Sequence, residues 1–67
     1  MNTFGERLKE LRLEKGWTID ELAKNVHHAK SAVSYWERGI KEPTVSVLKE
    51  LCILFKVSAD YLLGLID

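Results

Sequence analysis

Apolar residues recur along the chain at the three- and four-residue spacing of amphipathic helices, in five short segments separated by capping residues and glycines. In the first segment Phe4, Leu8 and Leu11 share one face. Thr3 and Glu6 have the spacing of a capping box, in which each side chain satisfies the other's free backbone N–H, and Gly16 stands where a left-handed C-terminal cap is wanted. Thr18 and Glu21 repeat that spacing and open a second helix through about Asn25, with Leu22, Ala23 and Val26 inward. A third helix, from about Ala29 to Arg38, turns Ala29, Ala32, Val33 and Trp36 inward and is closed by Gly39. Pro43 suits the turn before a fourth helix, which Thr44 caps and which carries Leu48, Leu51, Cys52 and Phe55 on one side. Ser58 starts a last short helix, where Val57, Leu62 and Leu63 close the core before Gly64 and the apolar pair Leu65-Ile66. The pattern predicts an all-α chain folded as a compact five-helix bundle with connections of a few residues.

Composition narrows this picture. The 67 residues make one domain, 1–67, and 46% hydrophobic content is enough for a single core. Such a core supplies only ~3–5 kcal/mol net. The one cysteine, Cys52, excludes an intramolecular disulfide and a cysteine-rich zinc site, and reads as a small buried hydrophobe. His27 and His28 are adjacent and point apart on any regular backbone, so no metal is expected. The polar opening MNTFGERLKE and the lack of a long apolar run predict a soluble, cytoplasmic protein with no membrane partner. No nucleophile–base pair, paired carboxylates or phosphate loop is present, so neither an enzyme, a cofactor nor a small-molecule ligand is expected.

Ten basic residues balance ten acidic ones, which by itself argues against a nucleic-acid binder. Their distribution argues the other way. Between Leu22 and Lys41 the bases Lys24, Lys30, Arg38 and Lys41 are opposed only by Glu37. Two short helices joined by the tight Val26-His27-His28 connection have the local layout of a helix-turn-helix, whose second helix offers a polar face to the DNA major groove. In the helix 29–38 the outward positions Lys30, Ser31, Ser34, Tyr35 and Arg38 form one stripe without an acid.

The segments FGERLKELR, WTIDELA, SYWERG, the following PT and FKVSADYLLG resemble the Cro/repressor (Xre-like) helix-turn-helix family over nearly the whole chain. That resemblance implies a five-helix domain of the phage-repressor DNA-binding type, with helices 2 and 3 as the motif, binding double-stranded operator DNA, usually as a homodimer. It implies a sequence-specific transcriptional regulator, in first place a repressor. By position it brings Ala29, Lys30, Ser31 and Tyr35 to bases and Ile19, Arg38 and Lys41 to phosphates, and it pairs Arg12 with Glu37 as a partly buried structural ion pair. Ile19 stands where the family usually has glutamine, so only its backbone N–H can meet a phosphate there. Ala29 replaces the usual hydroxyl residue, which leaves the recognition helix without a side-chain cap.

Each residue has a plainer role beside the functional one. Lys30 suits guanine N7 and O6, or is a solvated lysine. Ser31 and Ser34 suit bases or phosphates as small hydrogen-bonders, or are ordinary exposed serines. Tyr35 presses on a thymine methyl or reaches a phosphate, or else covers the helix surface as a half-buried ring. Arg38 and Lys41 neutralise phosphates or complement the helix C-terminus. His28 and Thr18 complete the phosphate-contacting candidates. Trp17 and Trp36 read as core or core edge. Ile40, Leu65 and Ile66 lie outside the core stripes and serve either a dimer interface or the edge of the bundle. The alternative to a DNA reader is a helix-turn-helix module that binds a partner protein.

Overall fold

The computed structural model describes residues 3–66; Met1, Asn2 and Asp67, the ends of the expected domain 1–67, lie outside the described residues. Among the described residues the chain forms five helices and no strand: α1 Phe4–Glu14, α2 Ile19–Val26, α3 Lys30–Arg38, α4 Val45–Phe55 and α5 Ala59–Leu62. This is the all-α five-helix architecture expected from the sequence. It folds into a body of 27 × 23 × 21 Å.

The starts of the helices are set by the capping residues. Thr3 and Thr18 each accept a hydrogen bond from the N–H three residues on, and Glu6 and Glu21 reciprocate toward the cap backbone, so both capping boxes are present. The Thr3 backbone N–H donated to Glu6 holds that carboxyl below its ordinary pKa. Thr44 and Ser58 cap α4 and α5 through their hydroxyls. Gly16 and Gly39 take the left-handed conformation after α1 and α3, with φ of 73° and 75°.

Every helix sends one side chain to the centre: Leu8, Leu22, Val33, Leu51 and Leu62 are each 0% exposed. Burying one such side chain contributes ~1.5–3 kcal/mol. Leu11, Ala23, Val26, Trp36, Val47 and Phe55 complete the buried cluster, and Trp17 tilts against Phe55 at 5.9 Å between ring centroids.

Four expectations are corrected. Ala29 is exposed and precedes α3 as its cap residue, because the helical hydrogen bonds begin with its carbonyl, so it is not an inward position. Leu63 is 44% exposed, since α5 ends at Leu62 and the chain turns away at the surface. The stripe of α4 that enters the core is Val47, Leu51 and Phe55, while Leu48 and Cys52 sit half-buried at its edge. Partial burial still pushes the Cys52 thiol pKa up.

One close approach sets α3 against α1. A Cβ on Gly5 would lie 2.5 Å from the Glu37 carbonyl oxygen and 2.6 Å from that of Trp36, so α1 and α3 meet backbone to backbone at this point. Only glycine allows that approach.

Candidate nucleic-acid interface

The turn between α2 and α3 is built by His27, which takes the left-handed conformation at φ 60° and ψ 42°. The His28 N–H then donates to the Ala23 carbonyl at 3.0 Å, a six-residue closure that reverses the chain in two residues. The His28 ring meets Trp36 edge-on at 5.4 Å, which ties the turn to the inner face of α3.

The inner face of α3 is locked in place. Val33 is 0% and Trp36 5% exposed, and Ala32 packs against the core. From α1, the Arg12 guanidinium donates to both carboxylate oxygens of Glu37, at 2.7 and 3.1 Å, and to the Trp17 carbonyl at 2.8 Å. The Arg12 and Glu37 side chains are only 9% and 6% exposed, so this is a nearly buried, fork-shaped pair. One end of it reaches the loop before α2, the other the recognition helix.

The outer face stays open. Ala29, Lys30 and Ser31 are exposed, and Ser34 and Tyr35 half-buried. Arg38 and Lys41 are exposed at the far end of the same helix. The first turn of α3 carries no acid. Lys24, by contrast, is paired on the surface with Asp20 at 3.4 Å, which offsets its charge locally.

The remaining candidates differ in what they have free. Thr18 accepts from the Glu21 N–H through its hydroxyl and gives its own backbone N–H to the Glu21 carboxylate, which leaves only the hydroxyl proton for a further contact. The Ile19 side chain packs against the core, and His28 is exposed beside Ala29. Ile40, Leu65 and Ile66 are 54%, 70% and 51% exposed. Among the described residues no group of histidine, cysteine or carboxylate side chains is arranged to hold a metal ion.

Three features escaped the reading of the sequence. Gly5 is one; a glycine inside a helical pattern was its signal. The second is Arg7, 4% exposed, with its guanidinium 4.3 Å from the centre of the Tyr61 ring, a long-range contact with no local signature. The third is apolar exposure at Val45, 84% exposed, beside an open groove of about 760 Å³ between the start of α1, the end of α3 and the start of α4.

Comparison with known proteins places these features in a lineage. The family model described as helix-turn-helix matches residues 8–62. The transcriptional regulator ImmR of Bacillus subtilis is 39% identical over 62 residues, covering 92% of this chain and 49% of ImmR. The P22 c2 repressor, solved in complex with a synthetic operator, superposes with a TM-score of 0.88 at 33% identity, over 94% of this chain and 96% of that one. The biofilm regulator SinR, solved in complex with DNA, gives 0.81 at 35% identity, over 91% and 98%. The chain spans about half the length of the curated relatives it matches. The resemblance read from the sequence is thereby borne out.

Proposed function

We propose that this chain, which belongs to the helix-turn-helix family, reads duplex DNA in the major groove as a sequence-specific transcriptional regulator. The observation that carries the reading is the division of α3 into two faces. Val33, Trp36 and the Gly5 contact lock one side into the bundle, while Lys30 and Ser31 stand open on the other with no acid in the first turn.

In this reading Ala29, Lys30, Ser31 and Ser34 approach base edges, Lys30 as a donor to guanine N7 and O6 and Ala29 as an apolar contact. Tyr35 borders that face. Arg38 and Lys41 neutralise phosphates at the far end of the helix, and the Thr18 hydroxyl, the Ile19 backbone and His28 flank the near end. Arg12 and Glu37 hold the frame. Two copies related by a two-fold axis read two half-sites, with Ile40, Leu65 and Ile66 in the contact between them. The operator-bound P22 c2 repressor and DNA-bound SinR, both of this fold, support a duplex as partner. As a reader of duplex DNA it acts in the cytoplasm; no described helix is long and apolar enough to cross a membrane.

The test is polarisation binding to a random duplex pool at low salt, followed by selection of the bound sequences. The protein is expected to bind the pool, and affinity to fall with salt. Two phosphate-neutralising cations per domain give a slope of about −1.8 in log K against log salt for one bound domain and about −3.6 for a bound pair. Lys30→Ala should relax one base position in each half-site by ~1–3 kcal/mol, while Lys41→Ala weakens all sequences alike and reduces the slope by about 1 per bound domain. No affinity for any duplex at low salt would refute the reading and leave a protein-binding module in its place.

A further inference from the structure

The geometry points to Tyr35 as a positioning residue that holds Arg38 and Lys41 for the phosphate backbone, and not as a reader of bases; this rests on the DNA-reading role argued above. The side chain belongs to the outward stripe of α3, yet it is half-buried. Gly39, at φ 75°, reverses the chain just after the helix. The Tyr35 carbonyl then accepts the N–H of Ile40 at 2.9 Å and that of Lys41 at 3.4 Å, so the segment 39–41 folds back over the turn that carries Tyr35. Arg38 follows three residues later on the same side of the helix.

Both cations meet over this one ring. The Arg38 guanidinium carbon lies 6.0 Å and the Lys41 ammonium 5.4 Å from the ring centre. Each is attracted by the negative face of the aromatic system. The two charges repel one another, and both side chains are long and exposed, with the exposed Glu42 next to Lys41 in the chain. The ring gives them a shared resting place at the end of the recognition helix. Cations placed in advance lose less freedom when a phosphate arrives, and that gain does not depend on base sequence. A ring already occupied by two cations is poorly placed to press on a thymine methyl.

The experiment compares the parent with Tyr35→Phe, Tyr35→Leu, Lys41→Ala and the double variant Tyr35→Leu/Lys41→Ala, against a selected duplex and a scrambled one. Leucine keeps the half-buried bulk, and thermal melting checks that each variant folds. Tyr35→Phe, which keeps the ring, should bind as the parent does. Tyr35→Leu should weaken both duplexes by the same factor, roughly three- to fivefold. Its effect should shrink in the Lys41→Ala background, because part of what the ring holds is already gone. In the free protein, proton resonances of the Lys41 ε-methylene should be shifted by the ring in the parent and in Tyr35→Phe, and lose that shift in Tyr35→Leu. The inference is overturned if Tyr35→Leu changes the preferred base at one position, if its effect is undiminished in the Lys41→Ala background, or if the Lys41 signals do not respond to the ring. Failure of the parent to bind any duplex would instead overturn the DNA-reading role, and this one with it.

Discussion

Replacing Gly5 by alanine opposes two effects whose sizes can be compared. Gly5 lies inside α1, where a glycine-to-alanine change ordinarily stabilises by ~0.5–1 kcal/mol through helix propensity. Here the new methyl carbon would stand 2.5 Å from the Glu37 oxygen, 2.6 Å from the Trp36 oxygen and 2.9 Å from the Glu37 carbonyl carbon. Ordinary contact starts at 3.4 Å, so the end of α3 must retreat by nearly an ångström. These are backbone atoms and cannot rotate aside. Overpacking of this kind costs ~1–3 kcal/mol, and the retreat also pulls Glu37 from the Arg12 fork. The net expectation is a loss of about 1–2 kcal/mol, out of the ~3–5 kcal/mol that a domain of this size has. For a chain of this length that lowers the melting temperature by about 5–15 °C. Urea and thermal unfolding, followed by circular dichroism and by tryptophan fluorescence, measure it directly. If Gly5→Ala melted at or above the parent, helix propensity would have won, and the close approach of α1 to α3 would not be what positions the recognition helix.

Two further substitutions probe the same helix. Ala29 has the extended backbone of an N-cap, φ −71° and ψ 148°, but no capping side chain, so Ala29→Ser should stabilise by ~1 kcal/mol in thermal melting. Ala29→Asp should stabilise as well, yet weaken binding to every duplex by bringing a negative charge toward the phosphates. Arg12→Leu leaves the Glu37 carboxylate buried without its partner, and a cost of ~3–5 kcal/mol should take up the domain's whole net stability, so the variant should be largely unfolded by circular dichroism without denaturant. Arg12→Leu together with Glu37→Leu should recover most of that loss, since no unpaired charge is left behind.

What could be read from the chain and what could not divide along a physical line. Capping boxes, left-handed glycines and apolar spacing are local, and the starts of α1, α2, α4 and α5 are legible from Thr3, Thr18, Thr44 and Ser58. The missing cap at Ala29 is equally local, and it is present as expected. Failures occur where a side chain's fate depends on a distant neighbour. Ala29 fits the inward spacing of α3 but falls just ahead of the helix, where no neighbour covers it. In α4 the periodicity permits either Val47 or Leu48 as the inward residue, and contact with the other helices selects Val47. The Gly5 approach and the Arg7–Tyr61 contact join segments far apart in sequence. At the interface the residue types and the stripe were legible, whereas the gathering of Arg38 and Lys41 over Tyr35 follows from the backbone reversal at Gly39.

The balanced charge of the chain, which first spoke against DNA, becomes intelligible once α3 is seen as two faces. A basic domain attracts a polyanion from every side; one with zero net charge must do so through a local field, within the ~8–10 Å over which charges act at ordinary salt. Here the acids Glu6, Asp20 and Glu21 stand on α1 and α2, engaged in caps or beside Lys24. The single acid of α3, Glu37, is taken up by Arg12 inside the frame. Neutralising that acid internally leaves Lys30 and Arg38 unopposed within the helix, while in the turn that follows Lys41 has the exposed Glu42 beside it. The same ion pair therefore does two things: it fastens α3 to α1, and it takes up the one acid that α3 itself carries. Lys30 and Ser31 stand open on the side of α3 away from the core, so these two positions can change while the frame that holds them stays as it is.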